Sequence, residues 1–345
     1  MYRRAQVIAW SGGLSTVLLV LMVLAASVGT VAIHPIVVGK AMLNALVVPT
    51  LSGWVHPFGF AIAETSQVIV SELRLPRIAL GASVGVALGI AGTVMQGFFR
   101  NPMADPSIIG VSTGAAVGAV AVIVFPFAVP FSLQWAAFAG ALVAAVAVYA
   151  IASQGGRTPV ATLLLAGVAV QTLLGAVVSY MLLHAGDSLQ RAVYWLMGHL
   201  HTASWSKVGI VVAVLVPMAG VALLYSRDLN VLLMGEEDAH TVGLEVERTK
   251  RVLLVSASLL TAVAVSVAGV IGFVGLVVPH VMRLIVGPDH RILVPTAALA
   301  GGTFLVAADT AARLGPAELP VGIVTALLGA PFFLYLLRDR EVHRL

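Results

Sequence analysis

Cysteine is absent from the 345 residues of this chain, and charged residues are scarce. The lack of cysteine excludes disulfides, thiolate metal sites and iron–sulfur clusters. Asp, Glu, Lys and Arg make up only 10% of the chain, whereas soluble domains carry roughly 25%. No basic run is long enough for a nucleic-acid patch, so we expect no nucleic-acid partner. Hydrophobic residues make up 60%, and lipid must therefore surround most of the chain.

Charge-free runs long enough to cross a bilayer recur along the sequence. A transmembrane helix needs about 20 apolar residues, and two longer runs are divided by prolines at 126 and 130 and by glycines between 269 and 275. The pattern predicts an all-α polytopic membrane protein with a single transmembrane domain, 1–345, and an external interfacial segment at 34–72. The ten predicted spans are 7–33, 76–99, 106–125, 131–153, 160–184, 207–226, 251–270, 273–286, 292–313 and 319–337.

The first apolar run has two interpretations, a cleaved signal peptide or a retained helix. Ala25–Ser27 resembles a small-residue cleavage site, but the uncharged run 5–33 exceeds the ~7–15 apolar residues of a signal peptide. We therefore predict a retained span. With the N-terminus inside, thirteen Lys and Arg residues fall on the cytoplasmic side and six outside, as the positive-inside rule requires. An even number of spans then places both termini in the cytoplasm.

The stretch GFFRNPMADPSIIG, residues 97–110, places polar residues between two apolar runs. In this orientation it is a cytoplasmic turn, and we expect its polar groups at headgroup level. Small residues let helices approach closely in a membrane, where lipid does not drive them together. The sequence therefore predicts a compact bundle core beside the turn, with ordinary helix packing as the alternative. Two glycine stripes at four-residue spacing flank it: Gly81, Gly85 and Gly89 before it, and Gly110, Gly114 and Gly118 after it.

A long cytoplasmic loop, about residues 228–250, carries three consecutive acids and then a basic cluster. Gly235 and Gly243 bracket a segment long enough for two short helices that meet at a sharp bend. Such a charged elbow would suit a cytoplasmic partner, and a solvated connector is the alternative. The candidate contact residues are Gly235, Glu236, Glu237, Asp238, Ala239 and Gly243.

Three arginines stand out on the outer side, which is otherwise poor in charge. Arg74 and Arg77 flank Pro76, a residue that suits the first turn of a helix. Arg313 follows Asp309 by four residues, so the two can pair within one helix. A docking patch for the carboxylates of an external protein is one interpretation, and interfacial snorkelling of long cations is the other.

The fifth predicted span carries a stripe of small and polar residues, which in a membrane faces protein or water rather than lipid. A loop after it holds His199 and His201 near the outer mouth. The stripe consists of Gly167, Gln171, Gly175 and Ser179, with Thr172 beside it.

Six motifs, in order between about residues 70 and 340, resemble one family of membrane proteins. The chain resembles the permease subunits of type II ATP-binding cassette importers, which take up iron–siderophores, haem and cobalamin. It departs from the family at Val242, where a Leu is common. The motifs are RLPR (74–77), QGFFRNPMADPSIIGVSTG (96–114), YWLMG (194–198), GEEDAHTVG (235–243), GFVGLVVPHVMR (272–283) and ELPVGIVTALLGAPFFLYLL (318–337).

The resemblance implies the type II importer permease fold and a homodimer in the inner membrane, with the translocation path along the dimer axis. Two cytoplasmic ATPase subunits, which hold ATP and Mg, would bind residues 234–247. This chain would then be no enzyme and bind no cofactor or metal. A periplasmic binding protein would deliver substrate and pair its glutamates with Arg74, Arg77 and Arg313. The fifth span would line the path with Gln171, Thr172, Gly175 and Ser179.

Haem is the first substrate that we expect. The reasons are the amino-acid sequence of the 97–110 stretch and the position of His199 and His201 near the outer mouth. Ferric siderophores come second and cobalamin third. An ion-coupled secondary transporter is the alternative class, but it needs intramembrane carboxylates, and the centres of the predicted spans contain none. The sequence has no Walker motif, no metal-spaced His–Glu pair and no nucleophile elbow.

Overall fold

The structure is a computed structural model that describes residues 2–29, 31–46, 48–50, 53–125, 133–315 and 317–338. Helices make up nearly all of its regular structure, as predicted, and a short antiparallel hairpin pairs Val48–Thr50 (β1) with Gly53–Val55 (β2). The helices are Tyr2–Ser27 (α1), Pro35–Asn44 (α2), Glu64–Val68 (α3), Leu75–Phe98 (α4), Val111–Val124 (α5), Leu133–Ala152 (α6), Val160–Leu183 (α7), Leu189–Leu196 (α8), Trp205–Leu224 (α9), Ser226–Leu232 (α10), Glu236–Thr241 (α11), Val246–Ala268 (α12), Val274–Val286 (α13), His290–Ala312 (α14) and Val321–Arg338 (α15).

Within the described residues, seven helices are long and apolar enough to span a membrane, and three shorter apolar helices bring the total to ten. They correspond one to one with the ten predicted spans. The short, separate helix predicted at 273–286 is α13, and the break before it lies at Gly269 and Phe273, which adopt φ angles of 72° and 68°. The turn predicted at the prolines of 126–130 lies outside the described residues.

The span predicted at 76–99 begins earlier than expected. A continuous helix runs over Glu64–Phe98, and its stretch Ile69–Arg74 is a π-helix directly before α4. Pro76 has no N–H to donate and interrupts the α-helical bonding of this turn, and π-helical turns occur as local bulges inside longer helices. Arg74 and Arg77 therefore lie inside a long helix rather than beside a helix start.

Glycines set the closest helix contacts, as the stripes predicted. A Cβ on Gly85 would lie 2.3 Å from the carbonyl oxygen of Gly301 in α14, and one on Gly118 would lie 2.0 Å from that of Ala136 in α6. These distances leave no room for a side chain, so α4 packs backbone to backbone on α14, and α5 does so on α6. Gly110 differs from the prediction: it precedes α5 with a φ of 79° and serves as its N-cap.

The polar turn after α4 does not stay at headgroup level. It returns into the bundle, where Asp105 caps a 3-10 helix, Pro106–Ile109, through the amide of Ser107 at 2.8 Å. A cavity of about 50 Å³ is lined by Asp105 together with Leu88 of α4. Leu88 precedes the end of α4 by ten residues, about 15 Å of helix. Asp105 thus places a carboxylate inside the bundle from a turn between two predicted spans, although the span centres themselves contain none.

Candidate functional site

The three outer arginines lie close together, and two of them share one carboxylate. Asp309 pairs with Arg77 at 3.0 Å and with Arg313 at 3.2 Å, which confirms the predicted pairing within α14. Glu318 completes the cluster with a 2.9 Å bond to Arg77. We call Arg74, Arg77, Asp309, Arg313 and Glu318 the outer ion cluster.

These arginines also hold the end of α1. Arg74 donates to the carbonyl of Ala26 at 2.6 Å and to that of Val31, and Arg313 donates to that of Val28 at 3.3 Å. The last carbonyls of a helix lack partners within it and favour nearby cations. The exposed side-chain fractions are 14% for Arg77 and 7% for Arg313, and Arg74 is 7% exposed, so all three arginines are largely covered within the chain.

His199 and His201 lie together between α8 and α9. Their ring centroids are 4.4 Å apart, and Tyr194 stacks on His199 at 5.6 Å. The backbone N–H of His199 donates to the carbonyl of Ala268, the last residue of α12, at 2.7 Å. Burial, and next the neighbouring His201, lower the pKa of His199 to about 4. At neutral pH the pair is an uncharged aromatic cluster.

The polar stripe on α7 divides into two faces. Gln171 donates to the carbonyl of Ile108 at 2.7 Å, and Gly167 packs on that same carbonyl, so this end of the stripe holds the re-entrant turn. Thr172 and Ser179 are exposed on the chain surface, and a Cβ on Gly175 would meet no atom within 4 Å. Thr172 and Ser179 donate to carbonyls of α7 itself, those of Val168 and Gly175, at 2.9 and 3.0 Å, whereas Gln171 bonds across to the re-entrant turn.

The cytoplasmic elbow has the two short helices and the bend that were predicted, but Gly235 and Gly243 bracket α11 alone, and α10 precedes Gly235. Two short helices, α10 and α11, meet at Gly235, whose φ of 119° excludes most side chains. Ala239 is the buried residue of α11, while Glu237 and Asp238 are exposed. Met234 and Val242, at the two ends of α11, are 62% and 64% exposed. The elbow therefore presents acidic groups flanked by apolar side chains, a surface suited to a protein partner.

No three His, Asp or Glu side chains converge on a possible metal position anywhere in the described part of the chain. The sites at both membrane faces consist of ion pairs, hydrogen bonds and exposed side chains.

The sequence matches the FecCD transport family over residues 17–339. The chain belongs to this family. It is 55% identical to the cobalamin import system permease protein of Halobacterium salinarum, over 99% of each chain. It is 44% identical to the hemin transport system permease protein of Yersinia pestis, over 78% of this chain and 83% of the relative.

A solved structure described as an inward-facing conformation of a metal-chelate type ABC transporter is also similar to this FecCD chain. The TM-score is 0.79 at 30% identity, over 95% of this chain and 98% of the other. Together these findings confirm the predicted family and the type II importer fold. The protein is a multi-pass inner-membrane permease of an ABC importer, and ATP hydrolysis belongs to separate partner subunits. Haem as the first choice of substrate is not confirmed.

Sequence reasoning missed several residues that organise this FecCD permease. The polarity of the 97–110 turn predicts a surface position for Asp105, and nothing in the sequence pairs the arginines with the end of α1. Glu318 stands out in the sequence only as part of a motif. Lys250, which is buried in the structure, resembles an ordinary positive-inside charge. Its burial depends on helices that are far apart in sequence, so no local pattern could reveal it.

The buried imidazole of His199 is expected to make stability sensitive to acid. Between pH 6.5 and about 4 the unfolded chain binds a proton that the folded one excludes, so stability falls as pH decreases through this window. Between pH 7 and pH 5 the unaltered protein is expected to lose about 2 kcal/mol more stability than His199→Gln. Thermal unfolding in detergent measures this, with exposed His56→Gln as control. Parallel pH profiles for the unaltered protein and His199→Gln would contradict the expectation.

Proposed function

We propose that this permease imports cobalamin. The observation that carries the proposal is the 55% identity to a cobalamin import permease over 99% of each chain. Since family members with different substrates share the fold, identity sustained over the full length is a stronger guide than any single motif. Haem import is the second candidate, supported by 44% identity to a hemin permease over 78% of this chain.

The whole chain, 1–345, is proposed to act as one permease domain within a homodimer. Helix α7 supports this arrangement, because Leu165, Leu173 and Leu183 are 72%, 66% and 82% exposed. A second copy of the chain would cover part of this surface. Thr172, Gly175 and Ser179 would then line a path between the copies, and His199 and His201 would lie near its outer mouth.

The outer ion cluster is proposed as the docking place of a periplasmic binding protein. A glutamate on that protein would compete with Asp309 and Glu318 for Arg77, the arginine of the cluster with the largest exposed side-chain fraction. Arg74 and Arg313 would act indirectly, since they bind the end of α1. Docking could then alter how α1 and α14 are held together.

The cytoplasmic elbow is proposed as the docking place of the ATPase subunits. Gly235 and Gly243 set its bends, and Ala239 anchors it. Glu236, Glu237 and Asp238 would supply its charge, and Met234 and Val242 its apolar contacts. The ATPases would carry ATP and Mg, and this chain would bind neither.

The proposed substrate is tested by measuring how strongly each chelate stimulates ATP hydrolysis. The permease is reconstituted in vesicles with its copurifying ATPase, and the binding protein is added empty or loaded with cobalamin, haem or a ferric siderophore. We expect cobalamin to give the largest stimulation over the empty partner, because hydrolysis follows delivery of the cognate chelate. Stimulation by haem alone would replace cobalamin with the second candidate.

A further inference from the structure

A tight turn directly precedes α7 on the cytoplasmic side. Gln154 and Arg157 exchange two backbone hydrogen bonds, of 2.9 and 3.0 Å. Between them Gly155 and Gly156 adopt φ angles of 58° and 79°, which is the pattern of a type I′ turn. Thr158 follows at once, and α7 begins two residues later. We call residues 154–158 the gate turn.

The backbone of Thr158 is held on both sides by α12. Its N–H donates to Glu247 Oε2 at 3.2 Å, and its carbonyl accepts from Lys250 Nζ at 2.6 Å. Glu247 and Lys250 are three residues apart on one face of α12 and also pair with each other at 3.2 Å. The gate turn is therefore attached to α12 through main-chain groups, whatever side chain occupies position 158.

Lys250 makes one further contact, and it is to the elbow. Its Nζ lies 3.0 Å from Glu236 Oε1 in α11. An ammonium group has three N–H donors, and here they have three acceptors on three separate elements: the gate turn, α11 and α12. The Lys250 side chain is only 4% exposed, and a buried cation is tolerated only when it is paired.

We propose that Lys250 is a positioning residue that joins α11 to the gate turn, so that movement of α11 by the ATPase displaces the cytoplasmic end of α7. This inference rests on the proposed function, because it assumes that an ATPase grips the elbow. Lys250 contacts neither substrate nor nucleotide. It transmits displacement because its three bonds make α11, the start of α12 and the gate turn one body.

Lys250→Met tests the connection between α11 and the gate turn. The substitution keeps the length of the apolar side chain and removes all three bonds of the ammonium group. In the reconstituted complex we expect ATP hydrolysis to continue, while cobalamin uptake per ATP falls about tenfold, within the usual range of coupling between sites. Arg338→Met is the matched control, since it removes an exposed charge from the cytoplasmic end of α15, outside the elbow. It is expected to leave uptake per ATP unchanged.

Glu236→Ala covers the possibility that Lys250→Met fails to assemble. It cuts the link to α11 alone and leaves Lys250 paired with Glu247, and uptake per ATP is expected to fall in the same direction. If uptake per ATP stayed normal in either variant, the inference would be overturned. Absence of ATP-driven uptake by the unaltered complex would instead contradict the proposed function.

A covalent crosslink between the gate turn and α11 gives a second, independent test of the proposal. Arg157 of the gate turn and His240 of α11 line one cavity of about 630 Å³, and the chain has no native cysteine. Arg157→Cys and His240→Cys can therefore be joined by thiol crosslinkers of graded length in the assembled complex. If the two elements move as one body, the crosslink spares uptake in the otherwise unaltered protein and restores it in Lys250→Met. Loss of uptake on crosslinking would show that they move separately.

Discussion

Gly92→Ala is expected to prevent the chain from accumulating as a folded, monodisperse protein. A Cβ on Gly92 would lie 1.9 Å from the carbonyl oxygen of Gly275, and the other near atoms also belong to that backbone. Side-chain rotation cannot relieve such a clash, so α4 and α13 would have to separate. Ala gains at most about 1 kcal/mol over Gly in helix propensity. Overpacking typically costs ~1–3 kcal/mol and sometimes more, and a clash with backbone, which no rotamer change relieves, falls at the upper end, so the clash dominates.

Fluorescence-detected size-exclusion chromatography and thermal unfolding in detergent measure this effect. Gly209→Ala and Gly220→Ala in α9 are matched controls, because a Cβ at either position meets no atom within 4 Å. Both controls are expected to match or slightly exceed the unaltered protein in thermal midpoint. If Gly92→Ala behaved like them, α4 would not pack on Gly275 as described.

Asp309→Asn is expected to lower the free energy of unfolding by about 3 kcal/mol or more. The carboxylate is only 3% exposed and balances Arg77 and Arg313. Its neutralisation leaves two buried cations near the end of α1 with one remaining acid, Glu318. Breaking a buried ion pair from one side costs ~3–5 kcal/mol, because the partner charge stays buried without compensation.

Glu318→Gln is the matched control for this prediction. Its carboxylate bonds Arg77 but is 51% exposed, and exposed pairs contribute less than about 1 kcal/mol. Adding Arg77→Met to Asp309→Asn is expected to recover part of the loss, because it removes one of the uncompensated cations. Equal thermal midpoints for Asp309→Asn and Glu318→Gln would contradict the conclusion that Asp309 is the carboxylate that neutralises both Arg77 and Arg313.

Local pattern was a good guide to the helices of this protein. The ten apolar helices correspond to predicted spans because hydrophobicity and length alone decide what a bilayer accepts. The glycine stripes identified close helix contacts because four-residue spacing places residues on one helix face. The bend at Gly235 was predicted for a similar reason, since glycine tolerates backbone angles that other residues avoid.

The sequence predicted poorly how deep polar groups lie in the bundle and which partners the charged side chains bind. The turn at 97–110 looked like a surface loop because it is polar, yet part of it returns to the level of Leu88. Arg74 looked like a surface cation, yet it bonds the end of α1 through Ala26. In both cases a polar group is stabilised inside the bundle by hydrogen-bond partners that the hydrophobic pattern of the sequence does not reveal.

The sequence by itself determined that this chain lies in a membrane, how often it crosses, and which family it resembles, because each follows from composition, run length or motif order. Only the tertiary structure decided which helices are neighbours. The bonds from Asp309 to Arg77 and from Lys250 to Thr158 join residues 232 and 92 positions apart. Such contacts depend on the packing of whole helices, and no local pattern in the sequence specifies them.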